Sequence, residues 1–315
     1  MKIALIGPGM MNIPPDGWGA VEILIWRYKC SLEKLGHEVT IYNTQDLKSV
    51  VDDIHQKDYD FIHLHYDGYA SYFSEHLNKP FCCTSHFGYI LREELWPQIN
   101  GEIFYETLKC PSILALSEDI KDIHLNKGYQ GKIDFLRNGA EVNEFKFDFK
   151  SNGKAIVVGK IEPSNRKRQR DIANICAGRC EVDFVGPNHD PNFRHNTTCN
   201  YLGEWTKDEL YQNLTKYSTL VLFSDCEAAP LVVPEAFAAG LSVVVSESAS
   251  QNLHSALQWI TILPDDDMPD NFPEIIKESI QKNDMYRPEI RDYAERHFDW
   301  DVIMEEYLEK IGVTI

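Results

Sequence analysis

Apolar residues in this chain fall into short continuous runs separated by stretches of helical periodicity. Residues 2–6 form one such run, and Gly7-Pro8-Gly9 follows at once, which predicts a buried strand ending in a tight loop. The loop continues through Pro14, Pro15, Asp16 and Trp18 to Gly19, after which Val21, Leu24, Ile25, Tyr28 and Leu32 recur near a 3.6-residue period. That spacing predicts a helix over 20–35, closed by Gly36, with the next strand at 38–42. The alternation recurs, with strands predicted at 61–65, 81–85, 113–116 and 133–136 and helical stretches between most of them. Repeated βα units joined by short turns predict a parallel sheet with helices on both faces.

The pattern pauses in the polar segment 148–153 and restarts at 154–159, another apolar run ending in glycine. Further strands are predicted at 182–185, 219–223, 242–245 and 260–263. The stretch 224–246 is the densest in chemistry: a strand delivers a loop carrying Glu227, then a short helix with Glu235 near its start and Gly240 at its end, then another strand. The tail 300–311 is amphipathic, with Val302, Ile303, Tyr307, Leu308 and Ile311 on one side, and Asp265-Asp266-Asp267 reads as a solvated loop. The expected fold is α/β, two doubly wound Rossmann-like domains at 1–150 and 151–297 whose strand ends face each other across a cleft.

Composition narrows the function. A chain of 315 residues is too long for one comfortable core. A formal charge of -18 excludes nucleic acid as the expected partner and weighs against whole-surface attraction to anionic lipid, while peripheral membrane contact through a local basic patch stays compatible. The 8 cysteines include no C-x-x-C pair and several sit in apolar runs, so reduced, buried thiols are expected rather than zinc ligands or disulfides. No apolar run reaches the ~18 residues of a membrane span, and the N-terminal run turns into Gly-Pro-Gly too soon for a signal peptide. A cytoplasmic location is expected.

Three constellations carry chemistry. Glycines 7, 9, 17 and 19 between a strand and a helix let backbone approach a ligand, and the helix start at Ala20 suits an anion; incidental glycines in a βα turn would look the same. After the strand at 154–159 comes Lys160, then Arg166-Lys167-Arg168 and Arg170, either an anion clamp or a solvated basic helix face. Glu227 and Glu235 form the third, as an acid and base pair, as metal ligands, or as acceptors for sugar hydroxyls.

Taken in order, these pieces resemble the GT-B-fold retaining glycosyltransferases of family 4. The resemblance runs through the glycine loop into Gly19-Ala20-Val21-Glu22, Asp60-Phe61-Ile62-His63-Leu64-His65, Thr84-Ser85-His86, Ala115-Leu116-Ser117, and Arg137-Asn138-Gly139-Ala140-Glu141. It continues through Val158-Gly159-Lys160, Arg166-Lys167, Tyr201-Leu202-Gly203 and the two glutamates seven residues apart. Phe298-Asp299-Trp300 resembles the segment that, in this family, begins the return to the first domain, so 298–315 is expected to pack on it.

The resemblance implies a co-substrate rather than a cofactor: a UDP- or GDP-linked sugar donor, with a saccharide or glycolipid acceptor and no divalent metal. It implies that Lys160 and Lys167 neutralise the donor diphosphate, aided by Arg166, Gly159 and the amides of Gly19 and Ala20. Glu227 would accept from donor-sugar hydroxyls, with the backbone of Ala228, Ala229, Pro230, Leu231 and Val232 near sugar and phosphate, and Leu202 beside the donor. Glu235 would hold the ribose hydroxyls, and His86 would stand beside the reacting sugar. On the acceptor side, Asp16, Trp18, His65, Tyr66, Tyr89 and Arg92 are expected on first-domain loops, where aromatic beside polar residues suits sugar stacking. Two departures stand out: Ala228-Ala229 replaces the family's usual Gly-Phe type of pair, and Pro234 is expected to distort the first turn of its helix unless that helix starts late. A sugar-nucleotide epimerase on the same fold, a degenerate nucleotide- or sugar-binding protein and an NAD-dependent oxidoreductase are the rivals. The oxidoreductase lacks its glycine fingerprint.

Overall fold

Twelve strands in the computed structural model, which describes residues 1–265 and 268–312, form two sheets that are parallel throughout. Asp266 and Asp267 of the expected acidic loop lie outside the described residues. The first sheet contains β1 (Lys2–Ile6), β2 (Glu38–Tyr42), β3 (Phe61–Leu64), β4 (Cys82–Cys83), β5 (Ser112–Ala115) and β6 (Lys132–Phe135), in the order β2-β1-β3-β4-β5-β6. Between them run α1 (Ala20–Lys34), α2 (Leu47–Gln56), α3 (Ala70–His76), α4 (Trp96–Ile99), α5 (Phe104–Thr107) and α6 (Glu118–Asn126). Helix starts are set locally: Asp46 accepts from the Ser49 amide ahead of α2, and Ser117 from the Ile120 amide ahead of α6. One core layer joins Ala4, Ile6, Ile62 and Leu64 of the sheet to Val50, Val51 and Ile54 of α2 and Phe73 of α3.

The second sheet contains β7 (Ala155–Val158), β8 (Val182–Val185), β9 (Cys199–Tyr201), β10 (Thr219–Leu222), β11 (Ser242–Ser246) and β12 (Ile260–Leu263), in the order β12-β11-β10-β7-β8-β9. Its helices are α7 (Gln169–Cys176), α8 (Lys207–Asn213), α9 (Val232–Ala238) and α10 (Phe272–His297). Strands β7, β8, β10 and β11 are buried along their whole length, as expected of a parallel sheet covered on both faces. On one face Val157, Phe184, Val221 and Val244 pack against Ile172 and Cys176 of α7 and Phe272 and Ile276 of α10.

Two compact units result: Met1–Asn138 together with the chain from Trp300 onward, and Gly139–Asp299. The first boundary therefore lies ahead of the 148–153 segment expected to be a linker. The intervening residues belong to the second unit because their backbone is tied there: Lys146 N donates to Tyr211 O (3.0 Å) and Asp148 N to Thr215 Oγ1 (2.9 Å). These ties run through polar groups, which is why composition alone reads as a linker. The tail helix α11 (Trp300–Lys310) packs in the first unit, with Tyr307 fully buried and its hydroxyl 3.1 Å from His63 Nδ1. Lys310 pairs with Asp134 at 3.0 Å and Lys34 with Asp301 at 2.6 Å.

The strand expected at 81–85 shrinks to Cys82–Cys83, and β9 is an added strand that its three residues were too few to announce. All eight cysteines are free and all but Cys30 are buried. Among the described residues no helix is long and apolar enough to cross a membrane.

Arg287, on α10, is fully buried and fastens the second unit. It donates to the carbonyls of Asp148 (2.9 Å), Tyr217 (2.8 Å), Thr215 (2.6 Å) and Ala239 (3.3 Å). Replacing it strands several buried acceptors, each costing about 1–3 kcal/mol. Arg287→Met is expected to destabilise the second unit by about 3 kcal/mol or more, read as a lower urea midpoint. A change within about 0.5 kcal/mol would refute this role.

Candidate functional site

The second sheet reverses its strand order at β7. From β7 the chain builds outward through β8 and β9, then returns to pair β10 on the other side and continues to β11 and β12. At such a switch point the loops after the two central strands diverge and leave a crevice at their carboxyl ends. The loop after β7 begins with Gly159 and Lys160 and leads through Arg166 and Lys167 to α7; the loop after β10 carries Ser224 to Glu227.

These two loops are stitched together. Asp225 N donates to Arg166 O (2.8 Å), and Arg166 Nη1 donates to Cys226 O (2.5 Å) and to Glu227 Oε1 (3.0 Å). Lys167 Nζ lies 3.3 Å from the same carboxylate oxygen. The Glu227 side chain is only 12% exposed, so burial works to raise its pKa, but Lys167 and Arg166 outweigh burial and hold it below the ordinary carboxylate range. Glycine is required here. A Cβ on Gly186, at φ +136°, would meet Gly159 O at 2.3 Å, and one on Gly159, at φ +151°, would crowd Lys167 Nζ at 3.3 Å. The product is a partly buried spot with two cations, one carboxylate and close-packed backbone.

The other basic residues separate from this spot. Lys160 is exposed and pairs with Glu162 at 3.1 Å. Arg168 pairs with Asp225, donates to Asp265 O and stacks over Phe223, while Arg170 pairs with buried Asp190 at 3.1 Å. The run 166–170 is thus neither one clamp nor a solvated face: Arg166 and Lys167 reach Glu227, and Arg168 and Arg170 hold the fold.

Glu235 occupies the first turn of α9 and is buried. Pro234 does not distort this helix. It is the third helical residue, where a backbone N–H has no intrahelical acceptor, and Glu235 N still donates to Leu231 O at 3.2 Å. The Glu235 carboxylate is ion-paired with Lys207, a residue sequence reasoning missed, and Lys207 Nζ is also 3.6 Å from Glu141. Thr206 and Glu209 form a capping box that sets the start of α8, a signal sequence reasoning did not use, and the box does not tell what Lys207 meets. Between the two glutamates, Ala228 is buried, Ala229, Pro230 and Leu231 are half-buried and Val232 opens α9; Leu202, after β9, remains 42% exposed.

In the first unit the glycine loop is held by Asn43 and Tyr69. Gly9 N donates to Asn43 Oδ1 (2.9 Å), Asn43 Nδ2 to Met11 O (2.7 Å), and the Tyr69 hydroxyl to Pro8 O (2.6 Å). Gly19 precedes α1 with no side chain capping the helix start, and Ala20 is exposed. His86 stacks on His65 (centroids 5.5 Å apart), with His65 Nδ1 3.2 Å from His86 Nε2, and His65 lies against His63. His63 Nε2 meets Thr84 Oγ1 at 2.8 Å. Burial lowers all three imidazoles, His63 to about 3 and His86 to about 4, and it raises Asp67, which accepts from Ser85, to about 7. Of the acceptor-side residues, Asp16 is exposed and Trp18 half-buried, Tyr66 packs edge-on to Tyr69, the Tyr89 carbonyl accepts from Trp96, and Arg92 pairs with Glu94. His65 joins the His86 cluster.

No protein-family model matches the chain, and no curated protein matches its sequence. Solved structures do match its fold. The chain is similar to HepE of Anabaena in complex with UDP (15% identity, TM-score 0.76, covering 99% of this chain and 100% of that one). It is also similar to sucrose-phosphate synthase of Thermosynechococcus elongatus (15%, TM-score 0.76, 98% and 97%). A third is WaaG, a glycosyltransferase involved in lipopolysaccharide biosynthesis (11%, TM-score 0.71, 98% and 100%). At this identity the likeness establishes the fold: α/β, with two parallel six-stranded sheets, matching GT-B structures.

The histidine cluster gives the first unit a pH signature. An unfolded histidine titrates near about 6.5, above the folded values, so the unfolded chain takes up protons first as pH falls and stability drops. Asp67 pulls the other way, but three imidazoles outnumber it. Hydrogen-exchange protection in β3 and β4, corrected for the intrinsic rate at each pH, is expected to fall from pH 6.5 to 5, with His86→Asn flattening the trend; protection that is flat or rises toward acid would contradict it.

Proposed function

We propose that this chain is a glycosyltransferase that moves a hexose from a nucleotide-diphosphate sugar to a hydroxyl of a saccharide or glycolipid, with retention and without a divalent metal. The observation that carries the reading is the meeting of Arg166, Lys167 and Glu227 at the β7/β10 switch point. A diphosphate needs cations and a sugar needs an ionised acceptor, and here both belong to one hydrogen-bonded unit. HepE was solved with UDP, with UDP and glucose, and with UDP-glucose, which makes UDP-linked hexoses the first donors to try.

In the proposed reaction the bond between donor C1 and the diphosphate oxygen breaks, and its electron pair leaves with the nucleotide. Arg166 and Lys167 stabilise that developing charge, with Lys160 joining if it leaves Glu162. The acceptor oxygen bonds to C1 on the face the nucleotide vacates, and its proton passes to a phosphate oxygen of the leaving diphosphate. Glu227 accepts from donor-sugar hydroxyls rather than attacking C1, and its depressed pKa keeps it an acceptor at neutral pH. Glu235 accepts from the ribose hydroxyls.

A thermal-shift panel of UDP, GDP, ADP and CMP with their sugars tests the donor site. A nucleotide at about 100 times its Kd stabilises by about 2.7 kcal/mol, or about 4 °C if the whole chain melts as one and about 8 °C if the second unit melts alone. One base is expected to give that shift, and none doing so would defeat the reading. With the donor identified, Glu227→Gln is expected to lower kcat about tenfold or more while changing nucleotide affinity little. Equal losses in both would remove Glu227 from the sugar. Proton NMR of the product reads the anomer, and inversion would overturn retention.

A further inference from the structure

Lys207 stands in an unusual setting for a lysine on the first turn of a short helix. Its ammonium is ion-paired to Glu235, lies 3.6 Å from Glu141, and sits over the rings of Tyr211 (5.3 Å) and Phe145 (5.9 Å). Two carboxylates and two π faces converge on one cation, and α8 fixes where that cation stands. Thr206 and Glu209 cap the helix reciprocally, and Tyr211 lies one turn on, at the spacing that puts its ring beside Lys207. Burial alone would lower the Lys207 pKa, yet the net direction is upward because Glu235 and Glu141 outweigh it. The lysine is therefore a fixed charge, with its surroundings spent on holding it rather than on reaching a phosphate.

Building on the nucleotide-sugar reading, we propose that Lys207 is a positioning residue that fixes the Glu235 carboxylate as the acceptor of the donor's ribose diol. Two carboxylates lie within reach of this one ammonium. Without it they repel, and the repulsion is relieved by one taking up a proton or by Glu235 changing rotamer. Either change costs the diol its charged, oriented acceptor. An ionised carboxylate offers about four lone-pair directions, of which the Lys207 ammonium takes one on Oε1. The lysine thereby sets how strongly the site distinguishes a ribonucleotide from one lacking the diol.

Isothermal titration of the full chain with UDP, GDP and ADP, each against its 2′,3′-dideoxy counterpart, tests this. The wild type is expected to prefer the ribose form of the base it accepts by about tenfold or more. Lys207→Met is expected to lose that preference by weakening the ribose form while leaving the dideoxy form little changed, and Lys207→Arg to restore it. Glu141→Gln keeps the Lys207–Glu235 pair, so it is expected to retain the preference, which guards against a Lys207→Met that folds poorly. A Lys207→Met protein that keeps the preference, or that weakens both forms equally, would overturn the proposal. If the wild type binds no nucleoside diphosphate, the donor-site reading fails first. If it binds both forms equally, the diphosphate reading survives and the ribose role of Glu235 and Lys207 falls.

Discussion

A carboxylate that leaves water needs a cation, and Glu227 has two. The second unit is arranged so that this can happen where the strand order of its sheet reverses. The loop after β7 brings Arg166 and Lys167, the loop after β10 brings Glu227, and the Asp225 N–Arg166 O backbone hydrogen bond, with the Arg166 side chain on Cys226 O, fixes their separation before any ligand arrives. Preorganised charges of this kind avoid reorganisation during reaction, which makes them effective against charge that develops on a leaving group. The glycines at 159 and 186 belong to the same constraint: a Cβ on Gly186 would run into the Gly159 carbonyl, and Gly159 holds a positive φ beside the Lys167 side chain.

In a chain of net charge -18, such a site must be made locally. Basic residues near it are assigned to two tasks. Arg168 and Arg170 are consumed by Asp225 and Asp190, which ties the β7–α7 loop and α7 to neighbouring segments, while Arg166 and Lys167 stay with Glu227. A second group joins Lys207 at the start of α8 to Glu235 in the first turn of α9 and to Glu141. Each group gives a carboxylate a fixed cationic partner, and at Glu227 those cations hold the pKa below the ordinary carboxylate range, so it remains a hydrogen-bond acceptor at neutral pH. Arg287 secures the ends of the elements that carry them.

Much of the fold was legible in the chain because parallel strands buried on both faces read as continuous apolar runs. β1, β2, β8 and β12 fall on the predicted residues, and α1 ends one residue early. The misses have physical causes. Strand β4 is short because only Cys82 and Cys83 find ladder partners, although the apolar run is longer. The segment 148–153 reads as a linker because its ties to the second unit are hydrogen bonds rather than apolar contacts. Pro234 looked disruptive because its place in the first turn depends on where α9 begins, and Leu231 gives no capping signal. At the site, the pairing of loops was predictable from the motif order. That Lys167 meets Glu227, Lys160 meets Glu162 and Lys207 meets Glu235 was not, because each pairing spans an intervening fold or a rotamer choice.

The central claim is that the β7/β10 fork holds the diphosphate of a sugar nucleotide. Calorimetric comparison of a nucleoside diphosphate with its parent nucleoside, in the wild type and in Lys167→Ala, tests it most directly. The account predicts that the wild type prefers the diphosphate and that Lys167→Ala loses about tenfold or more of that preference while binding the nucleoside as before. A variant that keeps the full preference would place the phosphates elsewhere and contradict the account.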